Sequence, residues 1–527
     1  MAVEKVTSFL SRTIRRPRRL FLLCVVLTTL SAVLLSYANA DNPVSHFFAP
    51  SSRTYEPTYS ALRERQARHF LDNEAQKGEI ILAAENRTSE LLGSPDLDLA
   101  LVLISIRRPS AQYLDLALGS TLDSLSPAER KRLHISVVIA DAEPESHPFF
   151  TSPWLHALTD EIVVRAQPKP ESSLEIATAV ASYTHGGRRV AAKIRVVPRP
   201  EFPSAAQVEL SDWHRQGAVD YAETLDTCSR AGTPHCVVLE DDIVLTATWH
   251  QQVRSAIAAA DARWPHEVQS ERGRTRKPWA FIRLFYAEKY FGWEDYEVPT
   301  LICVSAAAPI LTLAFLLIGT RGSSSKSSSA AYKLLARPSS PPPRPYHAPT
   351  PSPNRPTTIP LPSLLILSLT VLAHTILIIL AGRNHIHPIP PGLSSMPRRG
   401  CCTQATIFPN HLLPALATHL RAHAGEQPYD VLMADWAVGH AASHPNARIT
   451  PEVAEQERRA GVGLYEMLAL NPAVVQHIGH SSSQAGGYQR ADPLWSFAFE
   501  RKQPWSKVVE VRASSSGAAW LDGVSLF

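Results

Sequence analysis

Three stretches of the chain are apolar for long enough to cross a bilayer. Leu20 to Ala38 is an almost uninterrupted apolar run of 19 residues, and a helix needs about 20 residues to traverse the hydrocarbon core. Val298 to Gly319 and Leu361 to Gly382 are the other two, and neither contains Asp, Glu, Lys or Arg. Elsewhere the apolar runs are short: Leu99 to Ile106, Ile135 to Ala140, Cys236 to Leu239 and Trp279 to Tyr286. Runs of this length, rich in Val and Ile, predict buried strands of a largely parallel sheet. Helical patterns fall between them, over Tyr113 to Arg132, Ser211 to Ala231 and Thr246 to Trp264, the second ending near Gly232. The alternation predicts an α/β domain. Thr403 to Phe408, Tyr429 to Ala437 and Ala473 to Ile478 resume the core pattern after the last long apolar run. The pieces before the second long run and after the third read as one split domain, with two separate domains as the alternative.

Charge orients these elements. Arg12, Arg15, Arg16, Arg18 and Arg19 precede the first span, and the linker between the second and third carries Arg321, Lys326, Lys333, Arg337, Arg344 and Arg355 with no acid. Basic residues stay preferentially on the cytoplasmic side. The resulting plan is a cytoplasmic tail (1–19), a signal-anchor helix (20–38), a lumenal stem (39–95) in which Tyr59 to Ala67 is rich in helix formers, and a first lumenal α/β part (96–297). A second span (298–319), a cytoplasmic Ser/Pro-rich basic loop (320–360), a third span (361–382) and a second lumenal part (383–527) complete it. A cleaved signal peptide is the alternative for the first run, given Ala38-Asn39-Ala40. Eleven prolines lie from Pro338 to Pro362, and the stretch from Ser323 to Ser329 is nearly pure serine, a composition that builds no core.

The net charge of +4 conceals an asymmetry, because the tail and loop together carry +11 and the remainder −7. An acidic lumenal body argues against nucleic acid as a partner. Cys228, Cys236, Cys401 and Cys402 fall on the oxidising side, where one or two disulfides are expected in a pairing the sequence does not rank. Asn86-Arg87-Thr88 is a glycosylation sequon on that side.

Cys236-Val237-Val238-Leu239-Glu240-Asp241-Asp242 carries the most chemical information. Three adjacent carboxylates at the C-terminal end of a buried strand stand where open α/β sheets bind ligands, and they repel one another unless a cation joins them. Mg²⁺ or Mn²⁺ takes carboxylate and diphosphate oxygens together, an arrangement suited to a sugar nucleotide. The bland alternative is a solvated acidic turn. Asp242, supported by Asp241, is the expected metal ligand, and Glu240 is placed to orient a uridine or ribose. Arg107, just after the first strand, is a candidate for a donor phosphate.

The acidic triplet, Asp220-Tyr221-Ala222-Glu223-Thr224-Leu225-Asp226-Thr227-Cys228, Cys401-Cys402-Thr403-Gln404-Ala405, Tyr429-Asp430-Val431-Leu432 and Gln476-His477-Ile478-Gly479 together resemble the Golgi GPI-anchor N-acetylgalactosamine transferases. The resemblance implies a GT-A-like, Rossmann-like glycosyltransferase domain interrupted by a transmembrane helical hairpin. It implies UDP-N-acetylgalactosamine (UDP-GalNAc) as donor, a mannose of the GPI glycan as acceptor, and inversion at the anomeric carbon. An inverting transfer needs one base within about 3 Å of the acceptor hydroxyl. Asp430 and Asp435 are the candidates, and His477 is a candidate further metal ligand. The long basic loop departs from the family pattern.

The same Gln476 to Gly479 motif also resembles branching N-acetylglucosaminyltransferases, so another UDP-sugar transferase is an open alternative. A catalytically silent glycolipid-binding Golgi scaffold is the rival from another class. A transporter is disfavoured because His374 and Cys303 are the only ionisable side chains in the hairpin spans.

Overall fold

Alternate side chains of the Leu99–Ser105 strand enter two different apolar layers. Leu99, Leu101 and Leu103 face one, and Ala100 and Val102 face the other. A strand buried on both faces must be covered by helices on both sides, the condition of a parallel sheet. In the computed structural model, described residues are 16–51, 53–77, 97–109, 111–166, 184–185, 188–189, 193–198, 210–265, 269–271, 274–293, 297–322, 360–396, 402–439, 462–479 and 494–501. Asn86, Cys401 and the Ser/Pro-rich stretch 323–359 lie outside them.

Nine strands form one mixed sheet. We label β1 (Leu99–Ser105), β2 (Leu133–Ile139), β3 (Glu161–Ala166), β4 (Lys193–Pro198) and β5 (His235–Glu240). A short β6 (Ile243–Leu245) is followed by β7 (Trp279–Arg283), β8 (Gly392–Ser395), β9 (Ala405–Pro409), β10 (Glu466–Asn471) and β11 (Val475–His477). The sheet order is β8-β10-β7-β9-β5-β1-β2-β3-β4. From β5 to β4 all pairs are parallel, whereas β9 runs antiparallel to both β5 and β7, and β8 antiparallel to β10. Strand order reverses at β1, with β2 on one side and β5 on the other. The C-terminal ends of β1 and β5 therefore flank the crevice where an open α/β sheet takes its ligand. β6 and β11 pair separately as an antiparallel ribbon.

Helices α1 (Tyr59–Lys77), α2 (Leu114–Leu122), α3 (Leu210–Arg230), α4 (Trp249–Arg263), α5 (Leu413–Ala422), α6 (Tyr429–Val438) and α7 (Phe497–Arg501) complete this part of the chain. One layer takes side chains of α2 and α4, and the other those of α3, α5 and α6. A disulfide from Cys228 of α3 to Cys236 of β5 pins helix to strand, and Cys402 is disulfide-bonded as well.

The sequence pattern misses β3 and β4, and the reason is charge. Arg165 of β3 is buried against Asp220 and Glu223 of α3, and Arg195 of β4 meets Glu161 and Glu223. Charged residues that bury one another erase the apolar run that normally announces a strand. The expected helix Tyr113 to Arg132 is broken, because Ser126 caps a new short helix at Pro127–Lys131 by a reciprocal box with Glu129. The expected stem is helical over Tyr59–Lys77, but this helix packs into the globular unit: Arg63 is 1% exposed and grips Asp123 through both carboxylate oxygens. That unit comprises 52–291 and 389–527, with 292–388 inserted.

The other unit comprises 1–51 and 292–388. Pro17–Ala38 and Leu361–Leu380 are long and apolar enough to cross a membrane, and helix Val298–Gly322 is apolar over Val298–Thr312. Leu361–Leu380 packs against both of the others. His374 meets Ser31 across this packing at 3.1 Å, and its other ring nitrogen meets the Thr370 carbonyl. The disulfide points to a compartment outside the cytosol.

Candidate active site

The ends of β1 and β5 open into a cleft of about 410 Å³ lined by all three acids of Glu240-Asp241-Asp242, and by Arg108, Asp430 and His477 among others. Each acid has a distinct environment. Asp241 is 1% exposed, and both its oxygens are engaged, Oδ2 by the Ser105 hydroxyl at 2.5 Å and Oδ1 by Arg108 Nη1 at 2.6 Å. Asp242 Oδ2 accepts from Arg108 Nη2 at 3.1 Å and lies 3.2 Å from His477 Nε2, while its Oδ1 is buried with no partner. Glu240 Oε1 accepts the hydroxyls of Thr403 at 2.8 Å and Tyr429 at 2.9 Å.

These surroundings divide the proton affinities. Burial pushes Glu240 up to about 7, with the Asp242 charge adding to it and the two hydroxyls opposing. Burial also raises Asp241, against the pull of Arg108. At Asp242 burial acts in the same direction, yet the positive charges of His477 and Arg108 outweigh it and hold the carboxyl below its ordinary range. Asp242 is thus the acid kept ionised.

The neighbouring motifs serve this cluster. On the β11 ribbon, Gln476 turns inward to exchange hydrogen bonds with Ser496 and Glu500. His477 reaches Asp242, and the Ile478 N–H donates to the Asp242 carbonyl at 2.8 Å. A Cβ on Gly479 would lie 3.0 Å from the Cβ and Cγ of Asp242 and closer still to Oδ2, so any side chain there must displace Asp242. The Tyr429 ring stacks on Tyr221 of α3, with centroids 4.9 Å apart.

Arg107, which the sequence offers for a donor phosphate, is absent from the cleft lining, whereas its neighbour Arg108 is part of it. The Arg107 backbone N–H donates to the Asp141 carboxylate and its side chain is exposed, whereas Arg108 is buried between the acids. Asp430 lines the cleft, its Oδ1 accepting from the Val431 N–H. Asp435 is buried on α6 and is absent from the cleft lining. Ser105, Thr403 and Arg283 escaped the sequence reading. Burial lowers Arg283 to about 10 against the pull of the Asp430 charge. Of these, only Thr403 sat in a motif the sequence flagged.

Among the described residues, no group of three or more His, Cys, Asp or Glu side chains is arranged to hold a metal ion. Asp242 and His477 are in contact, and Asp242 Oδ1 is buried without a hydrogen-bond partner. Two protein ligands suit Mg²⁺ or Mn²⁺, which keep waters and take phosphate oxygens from a substrate. They do not make a preformed all-protein cage. In comparisons with known proteins, no family model matches the chain and no curated protein matches it significantly.

Proposed function

We propose that this chain is a metal-dependent, inverting glycosyltransferase of the Golgi membrane that moves N-acetylgalactosamine from UDP-GalNAc to a mannose of the GPI glycan. The observation that carries the reading is Asp242: a buried carboxylate with one unpartnered oxygen, beside His477 and Arg108, at the strand-order reversal of a largely parallel sheet. The GT-A-like assignment rests on this placement and on the motif resemblance.

Asp242 and His477 would hold the divalent cation. When bound, that ion neutralises charge on the departing diphosphate. Arg108 supplies a second positive group on the same side, and Glu240, fixed by Thr403 and Tyr429, orients the nucleoside. Asp430 takes the proton of the acceptor hydroxyl as its oxygen attacks the anomeric carbon and the bond to UDP breaks. A single displacement of this kind inverts the centre. Asp435, away from the cleft, is not assigned the base. The apolar helices anchor the chain with its N-terminus in the cytoplasm and the α/β domain in the lumen, close to GPI-anchored proteins or GPI glycolipid.

The test is UDP release by detergent-purified protein with Mn²⁺, a GPI-glycan acceptor and a panel of UDP-sugars. Acceptor-dependent release from UDP-GalNAc, lost on Asp242→Ala, is the expected result. Release from a different UDP-sugar would keep the reaction and replace the donor. No release from any donor by folded protein would favour the glycolipid-binding scaffold.

A further inference from the structure

We propose that Arg108 is a resident counter-ion that competes with the divalent cation until a diphosphate nucleotide arrives, and so couples cation binding to donor binding. The inference rests on the transferase reading above. Its physical basis is a charge problem. Asp241 and Asp242 are adjacent, buried acids with Glu240 beside them, and such a cluster must be neutralised for the domain to fold without metal. Arg108 supplies that charge by spanning the pair, with Nη1 at 2.6 Å from Asp241 and Nη2 at 3.1 Å from Asp242.

The span is incomplete as a hydrogen-bond arrangement. Arg108 Nη1 and Nη2 are taken up by Asp241 and Asp242, while its Nε is buried with no partner. The guanidinium is steadied by the Tyr113 ring, 5.5 Å from its centroid. Asp242 Oδ1 is equally buried and equally unpartnered. Both residues line the same cleft. A permanent structural ion pair normally satisfies its donors and acceptors, because leaving them buried and unmade is costly. An unused Nε donor on Arg108 and an unused acceptor on Asp242 fit a pair that exchanges partners.

A divalent cation entering alone adds two positive charges beside a fixed one and is opposed. A diphosphate reverses that balance. Its oxygens accept the guanidinium donors, for which the planar fork of arginine is suited, and they complete the cation's coordination. Cation and nucleotide therefore bind together tightly and separately weakly, and the coupling is reciprocal.

The experiment measures Mn²⁺ affinity from the EPR signal of free Mn²⁺ in detergent-purified full-length protein, with and without UDP. Wild type, Arg108→Gln and Arg108→Lys are compared. UDP should tighten Mn²⁺ binding by about tenfold or more in wild type. In Arg108→Gln, Mn²⁺ without UDP should bind about tenfold more tightly than in wild type, and the effect of UDP should shrink to a few-fold. The lysine, which keeps one charge but loses the fork, should fall between. Mn²⁺ affinity in Arg108→Gln equal to or weaker than wild type overturns the proposal. If that variant fails to fold, the lysine decides, and wild-type values there overturn it. Absence of Mn²⁺ binding in every protein, even with UDP, overturns the transferase reading itself.

Discussion

Replacing Arg63 by Met should destabilise the globular unit by about 3 to 5 kcal/mol, the range for breaking a buried ion pair from one side. The guanidinium donates to Asp123 Oδ1 at 2.6 Å and Oδ2 at 2.8 Å, to the Leu245 carbonyl at 2.6 Å and to the Ser120 carbonyl at 3.0 Å. Its positive form is favoured despite burial, because the Asp123 charge outweighs the desolvation. Methionine fills similar volume but leaves a carboxylate and two carbonyls without their donor. Each orphaned neutral acceptor costs about 1 to 3 kcal/mol and the charged one more, partly relieved if Asp123 takes up a proton. At about 2 to 4 °C per kcal/mol for a domain of this class, the transition should fall by roughly 6 °C or more. Adding Asp123→Leu removes the uncompensated charge, so the double variant should recover much of the loss. Thermal unfolding of the detergent-solubilised chain, followed by tryptophan fluorescence for both single variants and the double, measures the cycle. A single Arg63→Met variant within 1 °C of wild type, about the noise of such a scan, would refute the reasoning. So would a double variant that behaves as the sum of the two singles. Arg63 holds the carbonyl that ends β6 and thus the strand following the acidic turn, so donor turnover should fall with stability in the single variant.

Gly479→Ala should abolish most transfer and weaken Mn²⁺ binding by about tenfold or more, through displacement of Asp242, with the unfolding temperature changed far less; unaltered binding would count against the tight Gly479 approach. Glu500→Gln should cost roughly 2 kcal/mol, because Glu500 Oε2 accepts the N–H groups of Thr58, Tyr59 and Ser60 at the start of α1, and hydrogen exchange should accelerate first in that helix. His147 is 2% exposed, and burial with the Arg108 and Arg107 charges lowers it to about 4. The unfolded chain therefore protonates it first, so stability complete above about pH 6.5 should decline towards pH 4, by about 1.4 kcal/mol at pH 5.5. His147→Gln should flatten that part of the profile, and an unchanged slope in unfolding scans would exclude the assignment.

The parallel half of the sheet was legible where burial was mainly apolar and free of Arg, at β1, β2 and β5, because Val- and Ile-rich runs allow few other structures. It was illegible at β3 and β4, where Arg165 and Arg195 are neutralised by acids from α3 and neighbouring strands far away in sequence. Similarly, helix formers at Tyr59 to Ala67 announced a helix but not its docking, because the partner of Arg63 lies sixty residues away.

The candidate site divides in the same manner. A motif resemblance, not the pattern of the chain, grouped Tyr429-Asp430 and His477 with the acids. The sequence by itself determined that three carboxylates follow a buried strand and that long apolar runs interrupt the α/β pattern. These are local properties of composition and periodicity. Only the tertiary structure decided that Arg108 and not Arg107 meets the acids, that Asp241 is already satisfied by Ser105, that Asp242 keeps an open oxygen, and that Asp430 lines the cleft while Asp435 does not. Adjacent residues in a chain differ by which way one backbone step points them. Whether that direction leads to water, to a counter-charge or to a cleft is fixed by segments that only folding brings near.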